Sequence, residues 1–304
     1  MVKEENNNNM NIDNIINKFG YSEEFGVFLK EIYPELVNEF SNEQMVYEAL
    51  LNTPIVSVNN IYEYLNDNRL LDNANGLVSD GDLRRSSGVF HSKPNIIYKK
   101  DTNSYEISSV DRVVAVVNFN FSNTSKGTLI HELCHLIKGY NNEYIINNDI
   151  LISRNGLMEQ HYKLSYNDGN IEKSLIKEVG VGLEEGLTSV SEEEISKKVV
   201  SKDYKSSGYG VVNVIARNLL SLDGIKEKVV SAEIYHDKSE LYNLFEEDYI
   251  KLEEISDRIY KLNLVMFSQA FDLDKMEKTK EELINILNTE YKEVYEKMNN
   301  NLKL

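Results

Sequence analysis

Two histidines and a glutamate have the types and the spacing that metal chemistry requires. His131 and His135 are four residues apart, and on an α-helix this spacing places both imidazoles on one face, one turn apart. One ring nitrogen from each can then reach a single zinc ion. Glu132 lies at about 80° from the mean direction of the pair, where its carboxylate can take the proton of an attacking water. The pattern predicts a hydrolytic zinc site.

The surroundings of this segment favour an active-site helix. Polar residues at 122–125 can cap a helix that runs over residues 126–138, and Gly139 can end it. Leucine and isoleucine residues flank the histidines. Because a five-residue pattern also arises by chance, the alternative is a buried helix with two ordinary hydrogen-bonded histidines.

A catalytic zinc usually has three protein ligands and one position left for water or substrate. Position 141 is asparagine, so no third histidine lies six residues after His135. Downstream, Glu184 and Glu185 stand together among apolar residues at the start of a predicted helix. An acidic pair is often solvated surface, but a carboxylate carried into an apolar setting requires a cation, and zinc would supply one.

Residues 131–135 (HELCH) and 183–188 (LEEGLT) together resemble the gluzincin metallopeptidases, the group that includes thermolysin and the membrane-alanyl aminopeptidases. The resemblance implies that Glu185, immediately before the glycine, is the third zinc ligand. It also implies an α+β, zincin-like fold with a small mixed sheet, the active-site helix and a mostly helical second lobe. Glu184 stands where these enzymes usually have asparagine, so it remains an alternative ligand or a partner of the ligands. Ser189 stands where thermolysin-like enzymes have a supporting aspartate.

The same resemblance places an edge strand just before the active-site helix. The branched residues at 113–120 suit it, because an extended substrate can pair with a sheet edge through main-chain hydrogen bonds. A buried central strand is the alternative. Before it, the pattern predicts short strands separated by turns at 92–94 and 101–103, over residues 88–91, 95–98 and 104–108.

Stabilising the oxyanion of a peptide-hydrolysis transition state requires a further donor. Tyr209 lies between two glycines, just before a predicted helix, so it can project into a cleft. His161 and His236 are the alternatives. Cys134 is interpreted as a small core residue, and the acidic run at 192–194 as a solvated helix face.

The composition limits the partners and the organisation of the chain. A formal net charge of −17 disfavours nucleic acid and membrane partners, and a single cysteine excludes an intramolecular disulfide. The N-terminus lacks the apolar core of a signal peptide, so a cytoplasmic location is expected, with a removed leader or another export route left open. We expect a disordered tail over 1–9, a helical region over 10–85, and a catalytic domain over 86–304 that ends in long helices.

The sequence therefore predicts a zinc metallopeptidase that binds one Zn²⁺ through His131, His135 and Glu185 and acts on a peptide or protein. Glu132 is the predicted general base and Tyr209 the predicted oxyanion donor. Two alternatives remain: a zinc-binding adaptor without catalysis, whose metal site a fourth ligand would close, and a host-targeting protease toxin or effector. Cleavage specificity and oligomeric state are left open.

Overall fold

The described part of the chain comprises residues 10–71, 84, 86–141, 144–206, 210–268 and 273–302 of the computed structural model. The predicted tail over 1–9 and Tyr209 lie outside these residues. The described chain is a mixed α+β structure with two small sheets, so the predicted class is confirmed. No helix in these ranges is both long enough and apolar enough to cross a membrane.

The N-terminal half alternates helices with the strands of the first sheet. Its elements are α1 (Ile12–Phe19), α2 (Glu23–Phe40), α3 (Glu43–Asn52), β1 (Ile55–Val58), α4 (Ile61–Asp67), β2 (Gly88–Lys99), β3 (Ser104–Val117) and α5 (Asn123–Lys138).

The C-terminal half begins with the strands of the second sheet and continues as helices. Its elements are β4 (Tyr144–Asn147), β5 (Ile150–Asn155), β6 (Met158–Asn167), β7 (Asn170–Val179), α6 (Val181–Val199), α7 (Gly210–Leu220), α8 (Lys226–Tyr235), α9 (Ser239–Phe245), α10 (Glu247–Ser268), α11 (Leu273–Ile286), a π-helical turn (Leu287–Tyr291) and α12 (Lys292–Asn301).

The first sheet has the order β1-β3-β2, with β3 parallel to β1 and antiparallel to β2. The edge-strand interpretation of residues 113–120 is therefore wrong, and its alternative is confirmed: up to Val117 these residues belong to the central strand, where residues 113–116 are buried. The expected turn at 92–94 is also wrong, because β2 runs unbroken through Pro94 with a bulge after Asn95. Proline is tolerated there because β2 is an edge strand, whose outward positions need no ladder donor.

The second sheet is an antiparallel meander in the order β4-β5-β6-β7. A two-residue turn at 148–149 joins β4 to β5, and a second at 168–169 joins β6 to β7. The tight turn between β5 and β6 contains Gly156, which has a φ of +56°. This turn reaches α6 and takes part in the site described below.

Two apolar cores flank the pair α5 and α6. The first core joins α1–α3, β3 and α5, and includes Leu29, Ile32, Leu50, Val114, Leu129, Leu133 and Ile137. The second core joins α6 to the C-terminal helices, and includes Leu183, Leu187, Ile215, Leu219, Tyr249, Ile259 and Leu283. Because Ile195 of α6 packs in the first core, this helix contributes to both. The domain boundary expected between residues 85 and 86 would divide the first core and the first sheet, because residues from both sides of it contribute to each.

The N-terminus of α6 is capped by another helix. Gly180 occupies its N-cap position and offers no side chain, whereas the Asp257 carboxylate of α10 accepts hydrogen bonds from Gly180 N at 2.9 Å and Gly182 N at 2.8 Å. A Cβ at Gly182 would lie 2.1 Å from the Ser256 carbonyl oxygen, so glycine allows this close approach. The start of α6 is thereby fixed against α10.

We predict that Asp257→Ala lowers the free energy of unfolding by about 2 kcal/mol, because two N–H groups lose a charged acceptor. Glu254→Ala, an exposed position on the same helix, is the matched control and should change it by less than about 0.5 kcal/mol. Urea unfolding of both variants measures the difference. Equal stabilities would show that the cap contributes nothing.

Candidate metal centre

Helix α5 presents its histidines from a rigid position. The Ser122 hydroxyl accepts a hydrogen bond from Ser125 N at 3.3 Å and caps the helix, and the apolar residues on either side of the histidines are fully buried. The side chains of His131 and His135 remain 13% and 12% exposed. The imidazoles therefore keep some exposure to solvent, unlike the fully buried apolar residues around them.

The two imidazoles converge on one carboxylate oxygen of α6. Glu185 Oε2 lies 3.5 Å from His131 Nε2 and 3.6 Å from His135 Nε2. The ring centroids are 4.9 Å apart, with the ring planes at 76°. One ligand atom from each of the three residues lies within 4.8 Å of the other two. The structure thus brings together the three residues that the sequence predicts as metal ligands.

These distances suit a metal ion better than direct hydrogen bonds. Within the described residues, Glu185 Oε2 is buried and has no hydrogen-bond partner, and its separations of 3.5 and 3.6 Å from the imidazole nitrogens exceed normal N–H···O lengths. Ligand atoms about 2.1 Å from a tetrahedral ion lie roughly 3.4 Å from one another. The separations between the Glu185 oxygen and the two imidazole nitrogens therefore match those around an ion of the size of Zn²⁺.

A second carboxylate of α6 holds His131 from the other side. Glu192 Oε2 lies 3.1 Å from His131 Nδ1, and Glu192 accepts hydrogen bonds from Tyr204 OH at 2.5 Å and Ser206 Oγ at 2.8 Å. The expectation of a solvated acidic run is wrong for Glu192, which is 4% exposed. Seven residues are nearly two helical turns, so Glu185 and Glu192 share a face; that spacing is the signal in the sequence.

His135 is supported by an uncharged hydroxyl. Thr188 Oγ1 lies 3.5 Å from His135 Nδ1 and donates to Glu184 Oε1 at 3.0 Å. The Glu184 carboxylate also accepts from Lys138 Nζ at 3.0 Å and Leu157 N at 2.8 Å. Both oxygens of Glu184 are thus engaged on the outer side of His135, and Glu185 alone of the two acids faces the Nε2 atoms.

Lys138 is the cation that the buried acids require, and the sequence analysis overlooked it. Its side chain is 0% exposed and also pairs with Glu233 of α8 at 2.5 Å. Two carboxylates and one ammonium buried together carry a net negative charge, which burial disfavours. Burial, partly offset by Lys138 and reinforced by Glu184, raises the pKa of Glu233 to about 8.

The β5–β6 turn closes this cluster. A Cβ at Gly156 would lie 2.0 Å from Glu184 Oε2, so only glycine allows the backbone to cover the carboxylate and Leu157 N to donate to it. His236 fixes the same turn, with Nδ1 3.0 Å from the Gly156 carbonyl oxygen and Nε2 2.5 Å from that of Asn141. Its two nitrogens are therefore engaged by the backbone.

Glu132 lies beside the ligand group without belonging to it. Its Oε2 accepts a hydrogen bond from Phe90 N of β2 at 2.6 Å, and a Cβ at Gly88 would lie 3.0 Å from its Oε1. The edge strand thus packs directly against this carboxylate. Burial raises the pKa of Glu132, and the charges of His131 and His135 oppose that rise.

The acids around the histidines stabilise positive charge between them. Burial lowers the pKa of His131, but the carboxylates of Glu185 and Glu192 outweigh it and raise the value to about 10. Burial raises the pKa of Glu185, whereas the two histidines outweigh that effect and hold it well below its usual range. A divalent cation would meet the same charge requirement.

Cys134 and His161 do not belong to the ligand group. Cys134 is buried, which confirms its interpretation as a core residue. His161 pairs with Glu159 on β6 at 2.5 Å, and Tyr209 falls outside the described residues. Beyond the predicted set, the site depends on Lys138, Glu192, Tyr204 and Glu233.

Comparison of the chain with family models, with curated proteins and with solved structures gives no match. The function is therefore inferred from the geometry and chemistry of the site.

The two adjacent acids should separate in experiment. Glu185→Gln is expected to abolish zinc retention, because an amide replaces the anionic ligand. Glu184→Gln should lower the free energy of unfolding by about 3 kcal/mol, because Lys138 loses a buried partner, while zinc is still bound. Metal analysis and urea unfolding of both variants measure this. If Glu184→Gln loses the metal and Glu185→Gln keeps it, the ligand is one residue earlier.

The buried Glu233 should make stability depend on pH. Its folded pKa of about 8 lies above the unfolded value of 4.5, so the folded chain binds the extra proton, and stability falls as pH rises from about 5 to 8. Glu233→Gln should reduce this slope, whereas Glu227→Gln, exposed on the same helix, should not. Free energies of unfolding measured across this pH range test the prediction. An unchanged slope in Glu233→Gln would contradict the assignment of this pH dependence to Glu233.

Proposed function

We propose that the protein is a zinc-dependent peptidase with His131, His135 and Glu185 as the metal ligands. One observation carries the proposal. Within the described residues, the ligand group consists of these three side chains, and no fourth histidine, cysteine or acid belongs to it. The buried carboxylate of Glu132 lies beside them. Three protein ligands with an open position are typical of catalytic zinc, whereas structural zinc has four.

When bound, zinc supplies Lewis acidity, which polarises a substrate carbonyl and makes a water more acidic. Glu132 accepts the proton of the attacking water and delivers it to the leaving amine. The Phe90 N–H holds Oε2 of this carboxylate, so the side chain keeps one orientation and the other oxygen is available for the proton. Burial strengthens these interactions by excluding water.

Strand β2 provides a place for an extended peptide. It is an edge strand, and the bond from Phe90 N to Glu132 shows that its unpaired edge faces α5. A substrate that adds to this edge through main-chain hydrogen bonds would pass beside the general base. Phe90 N already donates to Glu132 and the Tyr144 hydroxyl donates to the Ser92 carbonyl oxygen at 2.9 Å, so neither backbone group is available to pair with a substrate.

The gluzincin resemblance agrees with this assignment, and we extend the proposal to a zincin-like arrangement of the first sheet, α5 and the helical second lobe. Glu185 then has the role of the family's glutamate ligand. Glu192 supplies the supporting carboxylate that Ser189 cannot. The oxyanion donor remains a prediction at Tyr209, which follows Ser206 by three residues.

The two alternative functions differ from this proposal in measurable ways. A zinc-binding adaptor requires a closed coordination shell, and the ligand group offers three residues. A host-targeting protease would share the whole site and differ only in substrate. Activity on a mixed peptide library separates the adaptor from either enzyme, and a narrow preference for one host protein would favour the effector.

The general base gives the decisive variant. Glu132→Gln keeps the shape of the side chain and removes the proton acceptor, so turnover of a peptide library should fall by about 10²–10⁴-fold or more. Zinc content, measured on the same preparation, should remain one ion per chain.

Glu194→Gln is the matched control, since this side chain is 45% exposed on α6 and should retain parental activity. Parental activity in Glu132→Gln would refute the mechanism. An inactive parent that holds zinc would favour the adaptor.

A further inference from the structure

Glu192 joins the metal centre to the loop over residues 201–206, which follows α6. Its carboxylate is 4% exposed and contacts three donors: His131 Nδ1 at 3.1 Å, Tyr204 OH at 2.5 Å and Ser206 Oγ at 2.8 Å. A buried carboxylate is costly unless donors surround it. The loop therefore contributes two of the three groups that keep Glu192 in place.

The packing shows that the loop is seated on α5. A Cβ at Gly127 would lie 1.7 Å from the Tyr204 hydroxyl oxygen, so the absence of a side chain at Gly127 admits the phenol. Gly127 precedes His131 by one helical turn. The tyrosine consequently reaches Glu192 along the same face of α5 that presents the histidine.

We propose that Glu192 is a positioning residue that couples closure of the 201–206 loop to metal binding at His131. This inference rests on the proposed zinc site, but it does not require peptidase activity. Glu192 accepts the Nδ1 proton of His131, so that the Nε2 lone pair faces Glu185 and the metal position. The loop fixes Glu192, and by linkage the metal fixes the loop to the same degree.

The coupling predicts how the variants change the affinity for zinc. This affinity is measured on the purified full chain by competition with a chelator of known affinity. Glu192→Gln should weaken zinc binding by about 10–100-fold, the usual effect of losing such a partner. Tyr204→Phe removes one donor to Glu192 and should weaken it by a smaller factor. Glu194→Gln is the matched control, because its side chain is 45% exposed and pairs with Lys197 on the same helix, and its affinity should stay parental.

A second readout distinguishes positioning from general loss of structure. Lys202 and Lys205 are exposed in the loop, so trypsin can report its opening. Zinc should slow cleavage at these two lysines in the parent and in Glu194→Gln, and the protection should be lost in Glu192→Gln and Tyr204→Phe. Cobalt-substituted protein adds a spectroscopic test, because the visible spectrum of the Glu192→Gln variant should differ from the parent's if the ligand geometry changes.

The outcomes are separable from those for the peptidase proposal. Parental zinc affinity and parental loop protection in Glu192→Gln would overturn the coupling, even if the enzyme is active. The coupling would also be overturned if Glu192→Gln unfolds without metal while Tyr204→Phe keeps the parental zinc affinity, because the loop would then have no part in metal binding. A parent that binds no zinc would overturn both proposals. A parent that binds zinc, shows the coupling and cleaves no peptide would overturn only the peptidase.

Discussion

The structure depends on the burial of negative charge between α5 and α6. Glu132, Glu184, Glu192 and Glu233 are each at most 9% exposed, and the Glu185 side chain is 18% exposed. Carboxylates in such surroundings must have donors or cations. Glu184 and Glu233 have Lys138, Glu192 has two hydroxyls and an imidazole, and Glu132 has a backbone N–H. In the part of the chain that the structure describes, Glu185 Oε2 has no hydrogen-bond partner, and the two imidazole nitrogens that face it lie beyond normal hydrogen-bonding distance. Glu185 is therefore the acid for which a metal ion would best serve as the partner.

The same requirement explains why distant parts of the chain meet at the site. Helix α6 contributes to both apolar cores, so the proposed ligand Glu185 is fixed relative to the histidines of α5. The start of α6 is held by Asp257 of α10, and the β5–β6 turn covers Glu184, to which Leu157 N donates a hydrogen bond. Lys138 extends the cluster to Glu233 of α8. Helices α6, α8 and α10 and the β5–β6 turn therefore all support the candidate site. This limits the movement of His131, His135 and Glu185 relative to one another.

Local patterns predicted the parts of the site that lie on single helices. The four-residue spacing of His131 and His135, the caps of α5 and the acidic pair in an apolar setting are all readable from neighbouring residues. The sequence also indicated the α+β class and the turn at 101–103. Contacts between elements were not readable: nothing local shows that Lys138 meets Glu233, 95 residues later. The order of the first sheet was missed for the same reason, because β1 joins β3 across a long connection.

The most direct test is an anomalous-diffraction map at the zinc edge, from crystals of the full chain grown with stoichiometric zinc. We expect one strong peak per chain, about 2.0–2.2 Å from one nitrogen each of His131 and His135 and from the Glu185 carboxylate, with Glu184 still paired to Lys138. A peak bound by four protein side chains, or the absence of any peak between α5 and α6 in zinc-loaded protein, would contradict the account.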